Sequence, residues 1–195
     1  MINYPELNMA KRLLEKYHLE PPINVKKLVR YYANVKFTGI PFDVDGVSLN
    51  LKVSGKTPHI IVNTIMPTRR QRFTLAHELG HVIIPWHIGS IIDKIDHGFH
   101  LHRPHNNYRL MEMEANRFAA ELLMPSAWIN SLLQGNFIPI DVHRTIVYQA
   151  EVSPVAASIK LIGDLPSGYI FCALGEDGEV QFSGRSPGTI ANAPP

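Results

Sequence analysis

The sequence feature that most constrains this chain is an H-E-x-x-H pattern at residues 77–81, inside a segment with helical character. On a helix, residues four apart lie one turn above each other, so His77 and His81 share a face. Two imidazoles at this spacing can bind one Zn²⁺ at about 2.0–2.1 Å, and a glutamate beside them can serve as a general base. The pattern therefore predicts a zinc site with His77 and His81 as ligands and Glu78 as the catalytic base.

The alternative is a chance match, because the pattern is short and the chain contains ten histidines. The surrounding residues argue against chance. Phe73, Ala76 and Ile83 are apolar neighbours of the pattern, and Gly80 would let another backbone come close to the site. This context favours the metal site.

A catalytic zinc takes three protein ligands, so a third ligand is needed. Three residues compete for this role: Glu112 and Glu114 on the next strongly amphipathic helix, and His87. His87 copies the spacing of the metzincin pattern, but Ile84 stands where that pattern has glycine. The two glutamates are about 200° apart around a helix, so only one of them can face the metal. Spacing alone leaves the choice open.

Composition and charge limit the class of protein. Hydrophobic residues make up 45% of the 195 and charged residues 18%, which is typical of a globular chain with a core. The net charge of +2 is too small to indicate a nucleic-acid or membrane partner. Cys172 is the one cysteine, which excludes an intrachain disulfide and a cysteine-based zinc site. Without a signal peptide or a spanning apolar run, the sequence predicts a soluble cytoplasmic protein.

Hydrophobic periodicity predicts an α+β fold, with a small mixed or antiparallel sheet before the H-E-x-x-H helix, a helical second half and a short C-terminal hairpin. Asn24 and Ser153 are predicted to cap helices, and Thr68 with Gln71 resembles a capping box at the start of the H-E-x-x-H helix. The predicted strands are 35–37, 47–51, 59–63, 169–173 and 180–183, and the predicted longer helices are 68–84 and 108–123.

The segment from 86 to 107 is rich in histidine and has no clear period. It is predicted to form a long surface loop or lid over the site, since structureless loops of this length are uncommon and often functional. Its histidines are expected to be solvated rather than ligands; they are His87, His97, His100, His102 and His105.

Two stretches resemble the ImmA/IrrE family of metallopeptidases. They are F-T-L-A-H-E-L-G-H at 73–81 and E-M-E-A-N-R-F-A-A-E-L-L-M-P at 112–125. The resemblance implies a zincin-like fold and makes the glutamate directly before Ala-Asn, Glu114, the third zinc ligand beside His77 and His81. It is specific over 72–125 and extends to the rest of the chain only in general plan. The gap between the two helices is longer here than is usual in the family.

The resemblance also implies a function, that of a zinc-dependent intracellular endopeptidase. Family members often cleave a helix-turn-helix repressor encoded nearby, in the regulation of mobile elements or stress responses. The alternative is a catalytically idle metal-binding protein that binds a regulator or a toxin–antitoxin partner. The intact Glu78 favours the enzyme, because a structural site needs ligands but no base. Polar candidates for stabilising an oxyanion are His105, Tyr108, Arg109 and Arg117.

Three parts are expected along the chain. Residues 1–135 would form the zincin-like metallopeptidase domain, 136–165 a helix-turn-helix-like extension packed on it, and 166–195 a C-terminal hairpin and flexible tail. The extension contains only Arg144 and Lys160 as basic residues. Because a DNA-reading helix pair would carry more basic residues, no direct nucleic-acid binding is expected.

Overall fold

The computed structural model describes residues 4–93, 106–134, 139–175 and 177–192. They form two compact units, 1–123 and 124–195. The predicted α+β class is confirmed, since the described residues form seven helices and two sheets. The finer division into three parts stays a prediction. None of the helices in the described ranges is both long enough and apolar enough to cross a membrane.

The two units differ in their elements. In the first unit these are α1 (Pro5–Lys16), α2 (Val25–Val29), β1 (Asn34–Thr38), β2 (Gly46–Leu51), β3 (His59–Asn63), α3 (Thr68–Ile83), β4 (Gly89–Asp93) and α4 (Asn106–Leu123). In the second unit they are α5 (Ser126–Leu133), α6 (Pro139–Gln149), α7 (Pro154–Asp164), β5 (Ile170–Leu174) and β6 (Val180–Arg185).

The sheet of the first unit is mixed, with strand order β1-β3-β2-β4. Strand β1 runs parallel to β3, whereas β2 runs antiparallel to both β3 and β4. Strand β4 corrects the sequence prediction, which placed the whole sheet before the H-E-x-x-H helix and a loop from 86 to 107. Ile91 is buried and Ile92 is exposed, but one such pair is too short for periodicity to indicate a strand. The rest of the predicted loop, 94–105, lies outside the described residues.

Helix α3 packs against β2, β3 and α4. Its residues 74–81 are all buried, as expected for a helix covered on every side rather than on one stripe. Gly80 permits the approach of α4, because a Cβ at this position would lie 3.3 Å from Cα of Ala115 and 3.1 Å from Cδ1 of Phe118. The close backbone approach predicted at Gly80 is thus confirmed.

The helix caps predicted at Asn24 and Ser153 are present. Asn24 Oδ1 accepts a hydrogen bond from the backbone N–H of Lys27 at 2.9 Å, and the Ser153 hydroxyl caps α7 in the same manner. The capping box predicted at Thr68 is not formed. Pro67 takes the N-cap position, so Thr68 is the first helical residue and makes no side-chain cap.

In the second unit, His143 of α6 makes polar contacts with α7, and these are the two helices predicted to resemble a helix-turn-helix. Its Nε2 lies 3.0 Å from the carbonyl oxygen of Pro154 and 3.0 Å from the hydroxyl of Ser158. The basic Lys160 is mostly buried and forms an ion pair with Asp164 at 3.1 Å. The contacts of His143 and Lys160 thus lie within the unit and stabilise the packing of its helices.

Asn63, the last residue of β3, holds the loop between β1 and β2. Its Oδ1 accepts hydrogen bonds from the backbone N–H groups of Ile40 at 3.0 Å and Ile65 at 3.1 Å, and its Nδ2 donates to the carbonyl of Val44 at 2.8 Å. The side chain is fully buried, so water cannot replace these partners.

We expect Asn63→Ala to lower the free energy of unfolding by about 3 kcal/mol, because each buried polar group left unsatisfied costs about 1–3 kcal/mol. Denaturant unfolding of the full chain measures this loss. Asn130→Ala is the matched control, since Asn130 is exposed on α5 and should change stability by less than about 0.5 kcal/mol. Equal and small losses for both variants would contradict the role assigned to Asn63.

Candidate metal centre

The two histidines of the H-E-x-x-H pattern converge on one point. His77 and His81 lie one turn apart on α3, and both are fully buried. Their Nε2 atoms lie 3.0 Å apart, and their rings meet edge to face with centroids separated by 4.7 Å. The helical spacing thus brings together two nitrogen atoms of the kind that ligates zinc.

The carboxylate nearest to this pair belongs to Glu112 of α4. Its Oε1 lies 3.4 Å from His81 Nε2, and its Oε2 lies 3.5 Å from His77 Nε2. Within the described ranges, His77, His81 and Glu112 form a group whose potential ligand atoms all lie within 4.8 Å of one another. Glu114, which the family resemblance implied as the third ligand, is not in this group.

The Glu114 carboxylate has different partners. Its Oε2 lies 2.9 Å from His87 Nε2 and accepts a hydrogen bond from Trp86 Nε1 at 2.7 Å. Helix α4 directs Glu114 to His87 and presents Glu112 to the histidine pair. Because residues two apart differ by about 200° around a helix, Glu114 is directed away from it.

Asn116 is a site residue that sequence reasoning missed. Its Oδ1 lies 2.9 Å from His77 Nδ1. An oxygen accepts, so His77 Nδ1 carries the proton and the lone pair is on Nε2. Asn116 also lies one turn after Glu112, so the i, i+4 relation between them was the available signal for choosing between the two glutamates.

His87, the other candidate for the third ligand, is fully buried rather than solvated as predicted, and it contacts Nδ1 of His81. Its Nδ1 is 2.8 Å from His81 Nδ1, and its Nε2 contacts Glu114. Both ring nitrogens therefore face other side chains rather than the Nε2 pair. Burial lowers the pKa of His87 to about 4, against the opposing effect of the hydrogen bond with Glu114. The ring is therefore neutral near pH 7.

Glu78 follows His77 but its carboxylate is held against β2. Its Oε2 accepts a short hydrogen bond from the hydroxyl of Ser48, and Glu78 and Ser48 are both fully buried. Gly46, two residues before Ser48 on β2, leaves room for the carboxylate: a Cβ there would lie 2.1 Å from Glu78 Oε1 and 2.7 Å from Thr74 Cγ2. Strand β2 therefore fixes the position of Glu78 beside the histidine pair.

Lys52 stabilises the end of the helix that carries these residues. Its Nζ donates hydrogen bonds to the carbonyl oxygens of His81 at 2.6 Å and Val82 at 2.9 Å. A cation is favourable at a helix C-terminus, where the last carbonyls lack partners within the helix. Burial lowers the pKa of Lys52 to about 8.

Two of the oxyanion candidates have defined contacts. The Tyr108 hydroxyl donates to the carbonyl oxygen of Ile92 on β4 at 3.0 Å, whereas Arg117 forms an ion pair with the buried Glu6 of α1. Arg109 is exposed, and His105 lies outside the described residues together with His97, His100 and His102.

The donor set can be tested for its fit to a metal. Two imidazole nitrogens and one carboxylate oxygen are the ligands of a catalytic His₂Glu zinc site. A ligating histidine also needs a hydrogen-bond partner on its second nitrogen, and Asn116 supplies one to His77. Buried lone pairs 3.0 Å apart repel unless a cation or a proton lies between them. The residues therefore fit a divalent metal ion.

We expect Gly46→Ala to lower the free energy of unfolding by about 1–3 kcal/mol, because the added methyl overlaps the Glu78 carboxylate. A double-mutant cycle with Glu78→Ala measures this overlap. The cost of Gly46→Ala should fall by about 1 kcal/mol or more once the carboxylate is removed. Strictly additive losses would show that Gly46 does not make room for Glu78.

Comparison with known proteins bears on the same stretch of chain. Residues 32–161, about two-thirds of the chain, match the peptidase M78 family model, described as the IrrE N-terminal-like domain. A curated relative is the "Radiation response metalloprotease IrrE" of Deinococcus radiodurans, which is 32% identical over 125 residues. The match covers 60% of this chain and 35% of that protein, so the chain spans about a third of the relative's length.

The family match includes both helices of the candidate metal centre, α3 and α4. Family membership points to a metallopeptidase and implies a metal cofactor, which agrees with the His77, His81 and Glu112 group. This chain belongs to the ImmA/IrrE family of metallopeptidases.

Proposed function

We propose that this protein is a zinc-dependent endopeptidase. Its ligands are His77, His81 and Glu112, and its catalytic base is Glu78. The observation that supports this most strongly is the convergence of two buried histidines and Glu112 within one unit, where α3, the helix of the histidines, also carries the buried Glu78. A purely structural metal site would need the three ligands but no adjacent base.

The roles of the residues follow from their contacts. Zinc, when bound, lowers the pKa of a water to about 7 and polarises the scissile carbonyl. Glu78 takes a proton from the attacking water and later passes it to the leaving amine. Ser48 donates to one carboxylate oxygen of Glu78, which orients the other for the water. Asn116 keeps the proton of His77 on Nδ1.

The proposed substrate is one specific protein, a helix-turn-helix repressor encoded near this gene, and the proposed place of action is the cytoplasm. One observation supports a narrow substrate range, and another supports the proposed setting. His77 and His81 are fully buried and the Glu112 side chain is 17% exposed, so an arbitrary chain has little access to the centre. The name of the Deinococcus relative connects that protein with a radiation response, which supports a stress response as the setting proposed for this one.

Co-expression with the neighbouring repressor tests the proposal. We expect two repressor fragments, identified by mass spectrometry, and no fragments when the purified proteins are mixed in a metal chelator. Restoring Zn²⁺ should restore cleavage. Asn130→Ala protein is the control and should cleave like the wild type, because Asn130 is an exposed residue of the second unit. An intact repressor in a stable complex would favour the catalytically idle binding protein instead.

A further inference from the structure

We propose that Glu114 and His87 form a hydrogen-bonded relay that fixes the tautomer and orientation of His81. The proposal deepens the metal site described above and rests on it. The relay is Glu114, His87 and His81 in that order, and it ends at the Nε2 atom of His81. It gives a function to the glutamate that the structure separates from the histidine pair.

The first bond of the relay sets the proton on His87. An ionised carboxylate can only accept hydrogen bonds, so the 2.9 Å contact between Glu114 Oε2 and His87 Nε2 places a proton on that nitrogen. The indole N–H of Trp86 donates to the same oxygen at 2.7 Å. Glu114 Oε2 thus receives two donors, and His87 is held with its lone pair on Nδ1.

The second bond sets the proton on His81. The Nδ1 atoms of His81 and His87 lie 2.8 Å apart, and one of them must donate. Because His87 presents its lone pair there, His81 is the donor and carries its proton on Nδ1. Its own lone pair is then on Nε2, the atom that lies near His77 Nε2 and Glu112. The relay therefore delivers the tautomer that a metal ligand requires.

Burial makes the relay strong. His87 is fully buried and Glu114 is 9% exposed, so water competes little for these bonds, and hydrogen bonds are stronger in a low dielectric. The two ligand histidines are also held differently. The second nitrogen of His77 contacts the neutral amide of Asn116. The second nitrogen of His81 contacts His87, which in turn contacts the Glu114 carboxylate. A carboxylate that accepts a hydrogen bond in this position raises the basicity of the metal-binding nitrogen of the histidine.

The tautomer is measured first, on metal-free full-length protein. Long-range ¹H–¹⁵N spectra at pH 7 should show His81 as the Nδ1–H tautomer and His87 as the Nε2–H tautomer. In His87→Leu protein, His81 should lose this preference and move toward the Nε2–H form that is common in free histidine. A wild-type His81 that lacks a proton on Nδ1, or an unchanged tautomer in His87→Leu, would overturn the relay. This readout does not depend on metal binding or on cleavage, so it separates failure of the relay from failure of the proposed function.

Zinc affinity is measured second, by competition with a chelating dye. His87→Leu and Glu114→Leu should each weaken binding by about 10–100-fold, the usual effect of removing the partner of a ligand, and both should still bind one ion. The double variant should bind zinc only slightly more weakly than either single variant, because both residues act through the same series of hydrogen bonds. Trp86→Phe is the control, since it removes a donor to Glu114 but leaves the relay intact. Affinities within about threefold of wild type in both Leu variants would contradict the proposal.

Discussion

Glu78→Gln protein is expected to keep its metal and its fold and to lose cleavage of its substrate by about 10²–10⁴-fold, the usual contribution of a general base. The amide has nearly the shape of the carboxylate, so the space left by Gly46 and the hydrogen bond with Ser48 are retained. It cannot accept a proton from water. None of the three proposed ligands changes, so metal affinity should be unaffected.

The measurement is single-turnover cleavage of the repressor at matched zinc occupancy. Ser48→Ala is a second variant with a smaller expected effect. It leaves the base in place but removes the hydrogen bond that orients it, so its loss of cleavage rate should be smaller than that of Glu78→Gln. Equal rates for Glu78→Gln and wild-type protein would exclude Glu78 as the base. A complete loss of bound metal in Glu78→Gln would instead indicate that the carboxylate helps to hold the ion.

The second large effect is expected in metal content. His77→Ala and Glu112→Ala should each fall from about one ion per chain to a small fraction of that after dialysis, since a catalytic zinc site has three protein ligands and none to spare. Glu114→Ala should still bind one ion when Zn²⁺ is in excess, because it removes a partner of His87 and not a ligand. Inductively coupled plasma mass spectrometry gives the occupancies.

The pair of glutamate variants makes this test specific. Glu112 and Glu114 have the same side chain, lie on the same helix and differ in position by two residues. Loss of metal from Glu114→Ala together with retention in Glu112→Ala would show that the family resemblance, rather than the geometry of α4, identified the third ligand.

The parts of the site that depend on local spacing could be predicted from the sequence. His77 and His81 share a face because they are four apart on one helix, and the structure places their Nε2 atoms together. The close approach at Gly80 was also predictable, since both helices of the pair were visible in the periodicity. The α+β class followed from the same patterns.

The parts that depend on distant contacts could not be predicted. Gly46 and Ser48 lie about thirty residues before Glu78, and no local pattern connects a strand residue to a helix residue at that distance. Strand β4 forms by backbone pairing with β2, which leaves little trace in side-chain type.

The rotation of α4 about its axis was only partly predictable from the sequence. The motif contains both Glu112 and Glu114, and which one faces the histidines depends on how α4 is rotated about its axis where it packs against α3. Sequence reasoning reduced the choice to one glutamate of two but then relied on the resemblance. In the structure Glu112 lies beside the histidine pair, and Asn116, one turn further along α4, contacts His77.

The most direct test of the metal centre is a crystal structure of zinc-loaded protein with anomalous diffraction measured on both sides of the zinc absorption edge. We expect one strong peak, bounded by Nε2 of His77, Nε2 of His81 and the carboxylate of Glu112, with Glu114 still hydrogen-bonded to His87. A peak coordinated by Glu114 or His87, or no peak beside the histidine pair, would contradict this account.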